Sequence, residues 1–413
     1  MLRVDNMKVL TLGVSPFYFT RNAKIHDSII RNLSIESDGS LNLSSVFLEH
    51  DIEYFPQESI QSRYKGIEGK FYSTSFEGDQ LVTSVFDIIE AESPEVVLSI
   101  GAFSDFEYIR AIKRVLPSSF NWVIILTSNI DDRFSEFSET LKEADHVICL
   151  TDQSFSALKK QGINCSLFEF GVDDIYMSDS DTDKSNLEVP TFLVNDKNLQ
   201  QSNLALVLDT FTNFVDNDFK LILHTNYYEP GDYDLDYLTS KFRAGQVEIP
   251  GDFVGIREGI SQDELLKKYS NSHYVIDLSI KPITSLCVLE GMSQGCVPII
   301  NRSGCLYEKL IGGEGGEREY SDFSDLYVDN NLFFGEYLEP FYIISQDSFF
   351  EKLSYSFRMI NENIGEYKCM SELSRSMSIQ FSSKGFCQKV SNFIISNRNI
   401  YTKKELKLKV ETF

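Results

Sequence analysis

The sequence predicts an α/β protein made of two doubly wound parallel-sheet domains, one in each half of the chain. Three observations carry this. Apolar runs with little polar alternation, such as Val96-Val97-Leu98-Ser99-Ile100 and Trp122-Val123-Ile124-Ile125-Leu126, recur along the chain and read as strands covered on both faces. Between them lie stretches of helical spacing, and strand alternating with helix is the pattern of a parallel sheet. A polar, acidic stretch, Ser178 to Asn186, interrupts the alternation and leaves two parts of the 413 residues, each long enough for its own core.

The first half opens with an expected strand, Met7 to Val14, a loop from Ser15 to Arg21 and a helix from Ala23 to Leu33. A strand, a glycine-containing loop and a helix begin a nucleotide-type fold. The G-x-G-x-x-G spacing is missing, which disfavours a dinucleotide cofactor. Residues 41 to 78 are mixed, with one strand expected within Leu41 to Phe55. Gln80 to Glu92 reads as a helix, Glu95 to Gly101 as a strand, Phe106 to Val115 as a helix and Trp122 to Thr127 as a strand. Just past that strand, Asp131 and Asp132 either cap the helix Phe134 to Glu143 or put a carboxylate where such a sheet meets its ligands, as a base. Strand Ala144 to Leu150, helix Gln153 to Gln161 and strand Asn164 to Phe170 follow. The expected first domain is 1–177, and 178–189 is its linker.

The second domain, 190–375, begins with a strand from Thr191 to Val194, a helix from Asn203 to Phe214 and a strand from Lys220 to His224. Ser261 and Glu264 fit a capping box that opens a helix. Tyr274 to Leu278 is a strand feeding the most informative stretch, Ile280 to Leu310. There Thr284 or Ser285 caps a helix whose Leu286, Leu289 and Met292 share one face. Gly295 ends that helix by taking a left-handed conformation, and Val297 to Ile300 is a buried strand. Glu290 is the only charge inside the helix, and Glu308 opens the next element. Residues 346 to 395 read as helical. The tail, 396–413, carries Lys403, Lys404, Lys407 and Lys409 between apolar residues. It is either a solvated end or a weak contact for an anionic membrane or an acidic partner.

Composition narrows the function. A net charge of −24 repels polyanions and disfavours a nucleic-acid partner. Seven cysteines without framework spacing fit a reducing compartment, and neither a C-x-x-C pair nor a His/Cys cluster points to a metal. No run approaches the ~20 apolar residues that span a bilayer, and no charged-then-apolar signal pattern opens the sequence. A cytoplasmic location is the expectation.

The stretch from Glu290 to Glu308 resembles the donor-nucleotide region of GT-B glycosyltransferases of the retaining, glycogen-synthase-like group. The usual phrase there is Glu-Ala-x-Ala-x-Gly-x-Pro-Val-Ile, then Gly-Gly, then Glu. Glu290, Gly295, Gly304 and Glu308 keep its spacing. Pro282 stands where many retaining members carry a further glutamate, and Cys305 replaces the second glycine. Ala144-Asp145-His146-Val147-Ile148 and Gly171-Val172-Asp173 are similar to phrases near the end of a GT-B first domain, and Phe381 to Ile394 to its last helix.

This resemblance implies two Rossmann-like domains facing across a cleft, with 376–395 a crossing helix that packs back on the first. The implied activity is transfer of a sugar from a nucleotide-diphosphate sugar, a UDP-sugar first, to a glycan, protein, lipid or nucleic-acid acceptor. No metal or other cofactor is implied. Glu290 would bond the donor ribose, and backbone N–H groups at Thr284, Ser285 and Leu286 would receive the diphosphate. Lys197, Arg257 and Lys281 would offset its charge, with Gly304 and Glu308 in the loop facing the sugar. Arg21 and Lys24 become acceptor-side candidates, and His26 and Asp131 candidate bases; a solvated helix start is the plainer reading of the first three. The departures leave a rival, a catalytically inactive GT-B protein serving as the partner- or glycan-binding subunit of a glycosyltransferase complex. An isomerase or phosphorylase on the same fold is a third reading.

Overall fold

The computed structural model describes residues 6–17, 20–37, 39–49, 57–75, 78–117, 119–128, 138–177, 184–225, 231–250, 260–279, 285–302, 327–333 and 341–397. The chain divides into two compact units, Met1–Phe170 with Ser383–Phe413, and Gly171–Ser382.

Unit one contains strands β1 (Met7–Val14), β2 (Leu41–Glu49), β3 (Gly69–Ser75), β4 (Val96–Gly101), β5 (Asn121–Leu126), β6 (His146–Cys149) and β7 (Cys165–Leu167). Its helices are α1 (Arg21–Glu36), α2 (Gln57–Arg63), α3 (Gly78–Glu92), α4 (Glu107–Val115), α5 (Ser138–Glu143) and α6 (Asp152–Lys160). The strands are all parallel, in the order β3-β2-β1-β4-β5-β6-β7. The chain therefore runs outward from β1 to β3 and returns beside β1 with β4, which puts the switch point between β1 and β4. Strands β4, β5 and β6 are buried along their whole length, as their uninterrupted apolar runs require. Strand β3 lies within the stretch 41–78 whose sequence is mixed. Its Gly-Lys-Phe-Tyr-Ser-Thr-Ser sequence belongs to an edge strand, paired on one side only and lacking an apolar run.

Unit two contains α7 (Asp174–Met177), β8 (Thr191–Asn195), α8 (Leu204–Phe211), β9 (Lys220–His224), α9 (Leu235–Thr239), β10 (Val247–Glu248), α10 (Gln262–Ser270), β11 (Tyr274–Asp277), α11 (Leu286–Ser293) and β12 (Val297–Asn301). Strands β13 (Tyr327–Val328), β14 (Asn330–Phe333) and β15 (Phe341–Ile344) precede helices α12 (Gln346–Glu362) and α13 (Ile364–Ser378). The parallel sheet runs β10-β9-β8-β11-β12-β13, with its switch point between β8 and β11. β14 and β15 form a separate antiparallel pair. Phe192, Phe211, Tyr274 and Phe357 stack and edge against one another in the core, with Phe192 ring centroids 5.1 to 5.3 Å from the other three.

The helical stretch 346–395 is three helices, with breaks at Asn363 and at Ile379–Ser382. The last, α14 (Ser383–Ser396), belongs to unit one and packs on α1, where the Cys387 thiol lies 3.6 Å from the Ser28 carbonyl. Within unit two, Val172 pairs in parallel with Ser382 and its N–H donates to the Phe381 carbonyl at 2.9 Å. Gly171 is required there, because a Cβ on it would sit 2.1 Å from the Phe381 carbonyl carbon. The stretch read as a linker includes a one-turn 3-10 helix, Lys184–Asn186, whose Lys184 is 3% exposed.

Candidate functional site

In an open α/β sheet the ligand site lies at the carboxyl ends of the strands, at the switch point. In unit two that edge is polar. β8 ends at Asn195 and is followed by Asp196; β11 ends at Asp277 and is followed by Leu278 and Ser279. The Ser279 hydroxyl lies 2.8 Å from Asp196 Oδ2 and 2.6 Å from Asp277 Oδ1, and the Ser279 N–H donates to Asp277 Oδ1 at 3.0 Å. One hydroxyl proton cannot serve two carboxylates. Burial and the Asp277 charge accordingly push the Asp196 carboxyl up to about 6, against opposing hydrogen bonds from Ser279, the Lys197 N–H and Ser202.

Two asparagines lace the same edge together. Asn203 takes the left-handed conformation (φ 54°), which its short polar side chain tolerates, and its amide donates to the Leu278 carbonyl at 2.8 Å. Asn301, closing β12, donates to the Ser279 carbonyl at 2.7 Å.

A second chain of bonds ties this edge to α11. The Tyr269 hydroxyl donates to Glu290 Oε2 at 3.1 Å and accepts from Asn195 Nδ2 at 2.7 Å, while His224 Nδ1 lies 2.7 Å from Asn195 Oδ1. Glu290 is only 2% exposed, so Tyr269 fixes its carboxylate inside the unit. Gly295, at φ 77°, ends the turn after α11 as its sequence position predicts. Ser285 occupies the N-cap position, but its side chain makes no capping bond.

The structure thus brings Lys197, Ser285, Leu286 and Glu290 into one unit. Lys197 is exposed in the loop after β8, and its N–H donates to Asp196 Oδ1 at 2.7 Å. Leu286 and Glu290 are buried on α11. Arg257, Lys281, Thr284, Gly304 and Glu308 lie outside the described residues, as does Asp131.

In unit one, Arg21 donates from Nη2 to the Thr127 carbonyl at 2.6 Å, so it reaches the carboxyl end of β5 from the start of α1. Lys24 is half-buried one turn further along. His26 has no exposed surface. Its Nδ1 lies 3.1 Å from the Val14 carbonyl, which can only accept, so Nδ1 carries the proton and Nε2 faces the Thr11 hydroxyl at 3.0 Å. Burial, opposed by bonds to Val14 and Gly13 and the Asp27 charge, lowers its pKa to about 4. A general base must reach the proton it takes. His26 is a buried core group with both ring nitrogens bonded inside unit one, and its complete burial argues against the role of base. Gly13 makes the room: a Cβ there would stand 2.8 Å from His26 Nδ1.

Sequence reasoning missed Asp196, Asp277, Ser279 and the Tyr269–Asn195 pair. The available signal was the polar residue after each buried strand, Asn195-Asp196 and Asp277-Leu278-Ser279. Among the described residues no three His, Cys, Asp or Glu side chains are grouped to hold a metal, and no helix is long and apolar enough to cross a membrane.

No family model matches the sequence, and no curated protein matches it. Solved structures do. A glycosyltransferase from Rickettsia africae is 12% identical, with a TM-score of 0.65 over 97% of this chain and 99% of its own. A sucrose-phosphate synthase from Thermosynechococcus elongatus, also 12% identical, gives 0.67 over 96% and 100%. This chain has the GT-B fold. The GT-B match extends to another chemistry: a structure described as a UDP-N-acetylglucosamine 2-epimerase from Listeria monocytogenes is 11% identical, with a TM-score of 0.58 over 95% and 96%. Fold by itself leaves the reaction open.

Proposed function

We propose that this GT-B protein is a glycosyltransferase that moves a sugar from a nucleotide-diphosphate sugar, a UDP-sugar first, to an acceptor without using a metal. The observation that carries the reading is the switch point of unit two. There a tyrosine–asparagine relay holds Glu290 on α11. In this reading Glu290 bonds nucleoside hydroxyls, since a carboxylate is an acceptor and repels phosphate. The diphosphate meets backbone N–H groups at Thr284, Ser285 and Leu286, with Lys197, Arg257 and Lys281 offsetting its charge. Gly304 and Glu308 belong to the loop toward the sugar. Arg21 and Lys24 serve the acceptor side, and Asp131 is the remaining candidate base.

Calorimetric titration with UDP, GDP and ADP tests this, repeated on Glu290→Gln, which keeps an acceptor for Tyr269. Binding of one nucleotide at micromolar concentration, weakened at least tenfold in the variant, is the expected result. No binding of any nucleotide overturns the reading.

The Asp196–Asp277 pair favours a second reading, because two carboxylates at a switch point disfavour an anionic ligand. That reading is a catalytically inactive partner- or glycan-binding subunit of a glycosyltransferase complex. Glycan binding without nucleotide binding would select it.

A further inference from the structure

Lys184 Nζ and Cys296 Sγ lie 3.1 Å apart in the core of unit two. Neither takes part in the site described above. Lys184 is 3% exposed and Cys296 is fully buried. They come from distant parts of the sequence, Lys184 from the short 3-10 turn before β8 and Cys296 from the junction of α11 and β12.

Both lean on the same two carbonyls at the end of α10. Lys184 Nζ donates to Tyr269 O at 2.9 Å and also to Ser272 O; the Cys296 thiol lies 3.1 and 3.3 Å from the same oxygens. A lysine closing a helix end is ordinary, and by itself it needs no sulfur. Here the shared carbonyls hold an amine and a thiol side by side. Their separation is that of a near-attack pair, in which reacting atoms stand about 3–3.5 Å apart.

The electrostatics favour the neutral amine and leave the sulfur as a thiol. Burial lowers the Lys184 pKa, opposed by Cys296, which favours the nucleophilic amine. Burial raises the Cys296 pKa, opposed only in part by Lys184 and Arg375, so the sulfur rests as a thiol beside a base that can take its proton.

We propose that Lys184 and Cys296 form a reversible covalent nitrogen–sulfur bond when the protein meets a peroxide. The Cys296 thiol passes its proton to the Lys184 amine 3.1 Å away, its sulfur attacks one oxygen of hydrogen peroxide, the O–O bond breaks, and the departing hydroxide takes that proton back to become water. Sulfur is thereby oxidised to a sulfenic acid. The Lys184 amine then attacks that sulfur, the S–O bond breaks, and the hydroxide leaves as water with a proton released by nitrogen. One thiol, one amine and one peroxide give a sulfenamide and two waters; sulfur supplies the two electrons that reduce the peroxide. The bond closes a loop across 112 positions of sequence, so it restricts the unfolded chain as a disulfide does.

The test uses the full chain, reduced, then exposed to hydrogen peroxide, digested and measured by mass spectrometry. The expected product joins the peptides holding Lys184 and Cys296, about 2 Da lighter than their sum, and separates on adding a thiol reductant. The melting temperature of the oxidised protein should rise by several degrees and return on reduction. Cys296→Ser, which keeps a hydroxyl donor for the two carbonyls, should show neither change. Unlinked peptides overturn the proposal, whether Cys296 is unmodified, sulfinic or in a disulfide with another cysteine. A peroxide-dependent rise of equal size in Cys296→Ser overturns it too.

Discussion

The two sheets share a strand order, and each buries titratable groups beside its first strand with opposite chemistry. In unit one the place beside β1 is filled by His26, a neutral imidazole pressed against Gly13 and bonded to Val14 and Thr11. In unit two the place beside β8 holds two aspartates sharing one serine hydroxyl. One site keeps a base from gaining a proton, and the other favours an acid that retains one. The topology sets where a ligand goes; the side chains at that point decide what the site tolerates. Unit one buries its imidazole against β1 and β2 as packing, whereas unit two keeps polar groups at the carboxyl ends of β8 and β11.

The largest expected effect concerns His26. Its folded pKa of about 4 lies below the ordinary value of 6.5, so the unfolded chain takes up the proton first. Its contribution is fully present above pH 6.5 and is lost as pH falls through 6.5 toward 4, by up to about 3 kcal/mol. Trp122, the only tryptophan of the chain and fully buried in unit one, reports this unfolding. Urea titrations followed by its fluorescence should show the loss in the wild type and a flatter profile in His26→Gln. Equal slopes in the two proteins would mean that His26 is solvated, and the contrast between the two units would fail.

Gly13→Ala addresses the same site by shape. The new methyl must displace the imidazole, and overpacking of this kind costs about 2 kcal/mol. Trp122 fluorescence again reads it. A neutral substitution would indicate an open cavity beside β1.

Unit two should respond with the opposite sign. The folded pKa of Asp196, about 6, stands above its ordinary value of 3.8. The folded state therefore binds this proton more tightly, and stability falls as pH rises from 3.8 through 6. Asp196→Asn should stabilise unit two by about 1–2 kcal/mol at pH 7.5 and by nothing near pH 4. Hydrogen exchange of β8 and β11 amides measures it. His273, also in unit two and lowered to about 4 by burial and Lys184, titrates with the sign of His26, so the difference between wild type and variant is the quantity to follow. No stabilisation at pH 7.5 would remove the carboxylate repulsion.

The contrast was only partly legible in the sequence. β1 and β9 have the bounds their apolar runs predict, and the Ser261–Glu264 capping box is formed in full. Such features are local: they depend on residues a few positions apart. Glu290 stood out as the single charge in a helix, although its contact with Tyr269 did not. The Asp196–Ser279 contact joins residues 83 positions apart, and nothing in a single sequence brings them together. Lys184 sat in a stretch whose polar composition reads as linker, yet α10 and Cys296 bury it. Arg21, Lys24 and His26 looked alike as polar residues at a helix start. Helix geometry and the missing side chain of Gly13 turned one of them inward.

The smallest expected effect separates geometry from charge at the aspartate pair. Ser279→Ala removes the hydroxyl that lies between Asp196 and Asp277 but keeps the Ser279 backbone N–H on Asp277. A lost hydrogen bond of this kind costs about 1 kcal/mol, and with the pair less well solvated the cost should grow as pH rises through 6. Asp196→Asn relieves the repulsion while Ser279→Ala worsens it, so the two changes should shift β8 and β11 exchange in opposite directions. In Asp196→Asn the serine change should cost less at pH 7.5 than in the wild type, because only one carboxylate then depends on the hydroxyl. An equal cost in both backgrounds would show that Ser279 serves Asp277 alone, and the two aspartates would then act as separate groups.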